Sequence, residues 1–556
     1  MVTLQSAQTR TPHRSKTPLF LRAGSLFLGV CLPLATLAAA SPVPPNTAAR
    51  DWLVVSGISE PRVLLPLMAS ESASAELCRL LYNGLVKYDK DLRLTGDLAE
   101  SWEVLEGGLV IIFHLRHDVR WHDGQPFTAA DVEFTYRKLV DPESPTPYGG
   151  DFEKVSSLEV IDAHTVRVTY KEPFAPGLAS WGMGIIPKHL LDGQDLRTTP
   201  LARRPIGTGP FKFRSWTPGR RIDLDAYDGY HGGRPGVGRY VYRVLPDPGT
   251  AFLELQTERV DHTGLTALQY ARQTDTAFFD RTYAKYRYPS FGYNYIGYNL
   301  EDPLFADRRV RKALGLAIDK REIVDAVLMG LGRVSTGPFL PGTWAYDERL
   351  PETPHDPERA RRMLAEAGWN DTDGDGWLDK DGRRFTFILL TNHGNEQRRM
   401  AAEIIQRRLK EVGIDMRIRI LEWGTLLKEH IDKRDFQAVL MAWNLSRDPD
   451  IHDIFHSSKT APGQFNFVGY RSPEADRLME EGRRVFDETE RAGIYRKLHR
   501  LLAEDEPYLF LFVADALPVV HRRFRGVEPA PAGIGHNLES WTVESARRRY
   551  VRELAS

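Results

Sequence analysis

The stretch FTFILLTNHGNEQRRMAAEIIQRRLKEVGIDMRIRILEWGTLLKEHIDKRDFQAVLMAW, residues 385–443, decides the fold class. It opens with FTFILL, an unbroken apolar run of strand length. From about Glu396, the residues Met400, Ile404, Ile405, Leu409 and Val412 recur at helical spacing, and Gly413 supplies the stop. Ile414, Met416, Ile418 and Ile420 then alternate with Asp415, Arg417 and Arg419, the two-residue period of a strand. A further apolar run, FQAVLMAW, ends at Trp443. Strand, helix and strand with short links form a βαβ unit, so this half of the chain contains an α/β domain. In open α/β sheets, ligands sit beyond the carboxyl ends of the strands. That rule places Trp443 and the NLSRDPD after it at a ligand edge.

Elsewhere strands and helices also alternate. Asp356 before Pro357 and Glu358 reads as an N-cap, an N1 proline and an acidic first turn, and that helix stops at Gly368. In GLVIIFHLRHDV, Leu109, Ile111, Phe113 and Leu115 share one strand face. Thr128, with Asp131 three residues on, caps a helix whose apolar side is Val132, Tyr136, Leu139 and Val140. VIDAHTVRVTY, residues 160–170, is strand-like with a turn at Asp162–Thr165.

The chain has 556 residues, 42% hydrophobic and 27% charged, a composition that excludes disordered, collagen-like and multi-span membrane classes. Its net charge of −1 gives no basis for a nucleic-acid partner. Residues 1–22 carry Arg10, Arg14, Lys16 and Arg22 and no acid, followed by the uncharged AGSLFLGVCLPLATLAAA at 23–40. This order predicts a signal peptide over 1–40, cut before Ser41, with a membrane anchor as the competing reading. Cleavage would leave 70 basic against 75 acidic residues, a net of −5, and a single cysteine, Cys78. SPVPPNTAAR, residues 41–50, reads as a linker.

Catalytic signatures are missing: the sequence has no HExxH, no P-loop, no GxSxG and no dinucleotide-binding GxGxxG. His114, His117 and His122 read as structural histidines around a turn. In DTDGDGWLDKDG, Asp371, Asp373, Asp375 and Asp379 stand at positions 1, 3, 5 and 9 of a calcium loop, but position 12 is Gly382 where a bidentate Glu belongs. A structural calcium and a solvated acidic turn are both open on this pattern, and no other cofactor is required. Aromatic residues are the other excess: Phe291, Tyr293, Tyr295 and Tyr298 alternate along PSFGYNYIGYNL, and Trp181, Trp423 and Trp443 end or start strand-like runs. Aromatic walls with few fixed charges suit a cleft that takes variable side chains.

Several blocks carry a family resemblance. LYNGLVKYDKDLRLTGDLAESWEV and IIFHLRHDVRWHDGQPFTAADVEFTY are followed by WGMGIIPKHLL, RPIGTGPFKF and NYIGYNLEDPLFADRRVRKALGLAIDK. AWNLSRDPDIHDIFHSS, GQFNFVGY and ERAGIYRKLHRLLAEDEPYLFLF complete the series, which spans roughly residues 75–515. Together they resemble the extracellular solute-binding proteins of the peptide/nickel class, which serve ABC importers. The resemblance implies an α/β, type II-like two-lobed clamshell of the periplasmic binding proteins, with an extra inserted domain. Lobe 1 would comprise residues 51–90, an inserted domain at 91–202, and 203–289; lobe 2 would be the α/β domain 290–518, and 519–556 would return to lobe 1.

By the same resemblance the protein would be a periplasmic, monomeric, non-enzymatic carrier that encloses a peptide between its lobes. It would deliver that peptide to the importer's permease, touching the membrane complex only peripherally. Trp443, Asn444, Ser446, Asp448, Trp423, Tyr293, Trp181 and Asn83 are the ligand-site candidates. Dipeptide-binding members place an Asp shortly after the tryptophan matching Trp443, where this chain has Leu445 and Ser446; their carboxylate-binding arginine corresponds to Thr391. Loss of both anchors implies an oligopeptide rather than a dipeptide, with Asp448 either a replacement anchor or part of a turn. A non-peptide cargo (oligosaccharide, metal chelate or heme) and a secreted enzyme or chaperone-like factor are the alternatives on this fold.

Overall fold

A computed structural model describes residues 51–549. The expected signal peptide and the 41–50 linker lie outside the described residues. Two mixed seven-stranded sheets organise the chain. The first runs in the order Tyr283–Lys285, Pro518–His521, His262–Gly264, Trp52–Gly57, Arg239–Val244, Arg221–Ala226 and Phe211–Thr217. The second runs Tyr288–Pro289, Tyr508–Ala516, Gly292–Tyr298, Ala438–Asn444, Thr386–Asn392 and Asp415–Leu421, with Gly332–Val334 on the far side of Tyr508–Ala516. Each sheet is the centre of one lobe.

The chain leaves the first sheet at 285 and joins the second at 288; it returns between Ala516 and Pro518. Both crossings lie side by side, because Tyr283–Lys285 is antiparallel to Pro518–His521 and Tyr288–Pro289 to Tyr508–Ala516. The Tyr286 N–H donates to the Pro518 carbonyl at 2.9 Å. Two adjacent extended segments thus connect the lobes, the covalent arrangement that a hinge requires.

A four-stranded antiparallel sheet, in the order Ala99–Leu105, Val110–Leu115, Thr165–Tyr170, Val155–Asp162, adds to the first lobe. Ile111, Phe113 and Leu115 are buried on one face, as their alternation predicts. The helix Ala129–Val140 starts with the expected capping box between Thr128 and Asp131. Asp356 caps Pro357–Glu366 by accepting from the Arg359 N–H at 2.9 Å. Gly368 and Gly413 end their helices at φ +90° and +79°, where a β-carbon would strain the turn.

The βαβ unit has the expected form: Thr386–Asn392 and Asp415–Leu421 are parallel, joined through the helix Glu396–Glu411. Asp415–Leu421 is an edge strand, which is why Ile420 is exposed although the alternation gives it an apolar face. The second sheet is covered on both sides. Leu389, Leu509 and Leu511 pack with the helices Arg308–Ala317, Lys320–Leu328 and Glu396–Glu411. Leu390, Phe510 and Val513 pack with Pro473–Arg484 and Glu488–Asp505. Among the described residues no helix is long and apolar enough to cross a membrane.

Candidate functional site

The parallel strands of the second lobe end at Asn392, Leu421 and Asn444, so their carboxyl ends share one edge. Trp443 is the penultimate residue of its strand and is half-buried. Its ring lies parallel to Tyr295 at 6.4 Å and edge-on to Phe465 at 5.5 Å, and its Nε1–H donates to the Tyr508 hydroxyl at 3.3 Å. Phe465 is 55% exposed and Trp423, just past the end of Asp415–Leu421 two strands away, is 44% exposed. This lobe therefore offers a partly open aromatic surface, of a kind suited to apolar side chains without selection among them.

Backbone is also free there. Gly292–Tyr298 pairs with all of Ala438–Asn444, but on the other side Thr386–Asn392 pairs only with Ala438 and Val439. The Thr391 hydroxyl donates to the Leu440 carbonyl at 3.0 Å and closes the ladder. Beyond it, Met441–Asn444 has no strand partner on that edge among the described residues. An extended peptide could add there as a strand.

The two lobes touch around this edge. The Ala175 N–H donates to the Arg483 carbonyl at 2.7 Å, and the Arg483 guanidinium lies 4.9 Å from the Phe174 ring centre. Phe486 approaches Gly108 so closely that a β-carbon there would lie 2.2 Å from its ring. Between the lobes are a cavity of about 580 Å³ with Lys154, Glu172, His452 and Glu480 on its wall, and one of about 220 Å³ with Tyr88, Trp344, Arg447 and Asp448. A third, of about 420 Å³, is set into the first lobe beside Arg79, Tyr82, Tyr148 and Met183.

The sequence-derived candidates separate into two groups. Trp443, Asn444, Ser446 and Trp423 do share the open edge, though the Ser446 hydroxyl is engaged by the Asp448 carbonyl at 2.6 Å. Three others are placed differently from what the sequence suggests, and the fourth, Asp448, takes the turn alternative, accepting the Asp450 N–H at 3.0 Å. Trp181 is 1% exposed, enclosed by Phe113, Tyr136 and Phe152, with its Nε1–H donating to Tyr170. Tyr293 is fully buried because its strand lies between two helical layers, so its face is closed by Pro473–Arg484 and Glu488–Asp505. Asn83 is buried and saturated: it donates to Asp97 at 2.8 Å and accepts from Thr208 at 3.1 Å. Asp448 accepts two hydrogen bonds from Arg491, at 2.6 and 2.9 Å, and so is not a free carboxylate.

Asp371, Asp373 and Asp375 bring carboxylate oxygens within 4.8 Å of one another, all exposed. Arg384 pairs with Asp375, and Asp379 is turned to the Thr372 N–H and hydroxyl. A calcium ion would keep three carboxylates from this chain and would have to displace Arg384; Asp379 is not among them as it stands. The three histidines do not converge. His114 meets Glu103, His117 packs at a tilt against His164, and burial pushes the His122 pKa down to about 4 between Gly207 and Gly209.

Arg447 and Arg79 escaped the sequence reading. Arg447 stands inside the SRDPD segment, and Arg79 stands two residues before the LYNG block, so both are close to the motifs but carry no pattern of their own.

Comparison with known proteins agrees with this architecture. Residues 93–466 match the model of the bacterial extracellular solute-binding proteins, family 5. The oligopeptide-binding protein AppA of Bacillus subtilis is 36% identical over 498 residues, 88% of this chain and 91% of that protein. Its structure in complex with a nonapeptide superposes with a TM-score of 0.75, at 34% identity, over 89% of this chain and 100% of that one. NikZ of Campylobacter jejuni in complex with Ni(L-His) gives 0.76 at 27% identity over 89% of this chain and 99% of that one.

Proposed function

From the premise that the chain belongs to the bacterial extracellular solute-binding proteins of family 5, we propose that it captures peptides for an ABC importer. The ligand is an oligopeptide, enclosed when the lobes close about the paired segments at 286–287 and 517, and the closed form is what the permease receives. The protein acts in the periplasm after export, as a monomer, and does not transform its cargo.

One observation carries this reading: the unpaired edge of Met441–Asn444 beside Trp443 and Phe465. Main-chain hydrogen bonds along a strand edge are indifferent to sequence, and exposed aromatic faces tolerate any apolar side chain. Asp448, the residue best placed to hold a peptide ammonium, is committed to Arg491. Asp448 therefore does not fix ligand length through the peptide ammonium. Native mass spectrometry of the purified protein, with the released ligand sequenced, tests the proposal. A mixture of peptides several residues long supports it; a single non-peptide mass, or cleavage of an added peptide, overturns it.

A further inference from the structure

Charged side chains at the junction of the lobes are mostly paired. Arg491 holds Asp448, Arg483 lies 3.1 Å from Asp450, and Arg484 lies 3.6 Å from Glu172. Arg447 and Arg79 break this rule, as does the exposed Arg93 beside them. Arg447, from the second lobe, has its guanidinium 5.7 Å from the ring centre of Tyr88 in the first lobe and 5.8 Å from that of Phe291. The aromatic faces hold it in place, yet none of its N–H groups finds a carboxylate or any other hydrogen-bond acceptor among the described residues. Arg79 is exposed in the last turn of the helix Ser72–Leu81 and likewise has no carboxylate partner among them.

These two come from opposite lobes and line separate cavities that border the same short helix. Arg447 is on the wall of the 220 Å³ cavity and Arg79 on that of the 420 Å³ cavity. The helix Pro176–Ser180 borders both, presenting Leu178 to the first and Ala179 and Ser180 to the second. Burial lowers the Arg447 pKa, and the positive charge of Arg79 lowers it further, so the two cations feel each other. The remaining charges on these walls are Arg93, Glu488, the Asp448–Arg491 pair and Asp151, whose carboxylate receives the Ser180 hydroxyl. Two cations brought together without a counter-ion cost free energy, and an anion between them would remove that cost.

We propose that Arg79 and Arg447 form an anion subsite that grips a carboxylate of the bound peptide, one arginine from each lobe. This rests on the peptide-capture reading and deepens it: the preferred cargo carries a free C-terminus or an acidic side chain at this point. Because the lobes supply one arginine each, the carboxylate would also neutralise a repulsion that opposes closure. Guanidinium–carboxylate pairing is planar and, with two donors available, bidentate.

The test uses randomised pentapeptides synthesised as two pools, free acids and C-terminal amides, mixed with ligand-stripped protein and recovered by gel filtration. Eluted peptides are quantified and sequenced. The wild type should retain either free acids over amides by about tenfold or more, which identifies the C-terminus, or amides enriched in Asp and Glu to a similar degree, which identifies a side chain. Arg79→Gln and Arg447→Gln should each reduce that preference, and the double variant should abolish it while still retaining peptides. Since neither arginine pairs with a carboxylate of the protein, the variants should still fold cooperatively, Arg447→Gln losing only the ring contacts with Tyr88 and Phe291. Equal retention of free acids and acid-poor amides, or an unchanged preference in the double variant, overturns the subsite but leaves peptide capture standing. Retention of neither pool by the wild type overturns peptide capture, and the subsite with it.

Discussion

Asp448 and Arg491 form a two-point ion pair, at 2.6 and 2.9 Å, in which both side chains are about nine-tenths buried. The arginine's third nitrogen donates to the Gly482 carbonyl at 2.7 Å, so the pair ties the Asn444–Asp448 loop to the end of one helix and the start of the next. Removing one partner of such a pair leaves an uncompensated buried charge.

Asp448→Ala is therefore expected to lower folding stability by about 3 kcal/mol. Urea denaturation of the ligand-free protein measures this. A variant with an unchanged midpoint and no peptide binding would show instead that Asp448 is a ligand anchor.

Two aromatic substitutions should have opposite signatures. Trp181→Ala removes a fully enclosed ring and should cost about 3–5 kcal/mol. Phe465→Ala removes an exposed one and should change stability by less than about 0.5 kcal/mol while weakening peptide binding. Denaturation midpoints and calorimetric titration with captured peptide separate the two effects.

Glu506 provides a pH test. Burial pushes its carboxyl up to about 7, against the pull of Lys320 and Arg311. A raised folded-state pKa means the native protein binds a proton that the unfolded chain has lost. This group thus lowers stability as pH rises from its unfolded value of about 4.3 to 7. Glu506→Gln removes that dependence, so the variant's Tm relative to wild type should rise between pH 5 and pH 8. A Tm difference that is constant or falls over this interval contradicts the assignment.

The architecture was legible where the signals are local. The βαβ unit at 385–443, the caps at Thr128 and Asp356 and the stops at Gly368 and Gly413 all rest on residues within a few positions of each other. The strand-end rule located Trp443 and Asn444 from the sequence for the same reason. Tyr293 was not legible: its alternation with polar residues resembles a one-sided strand, and only the helices Pro473–Arg484 and Glu488–Asp505, far along the chain, close its other face. Asp448 is 43 residues from Arg491, too far for spacing to reveal the pair. Arg79 and Arg447 sit in different lobes, and their shared surroundings exist only once the sheets are assembled.

Amide hydrogen exchange at residues 441–444 reads whether a bound peptide completes the open edge of that strand. Exchange is compared in ligand-stripped protein with and without the pentapeptide pool that it retains. Amides facing the open edge should slow by at least about tenfold on binding, while those paired with Gly292–Tyr298 are protected in both states. Unchanged exchange at residues 441–444 in protein that demonstrably holds peptide would show that the peptide does not add to this strand.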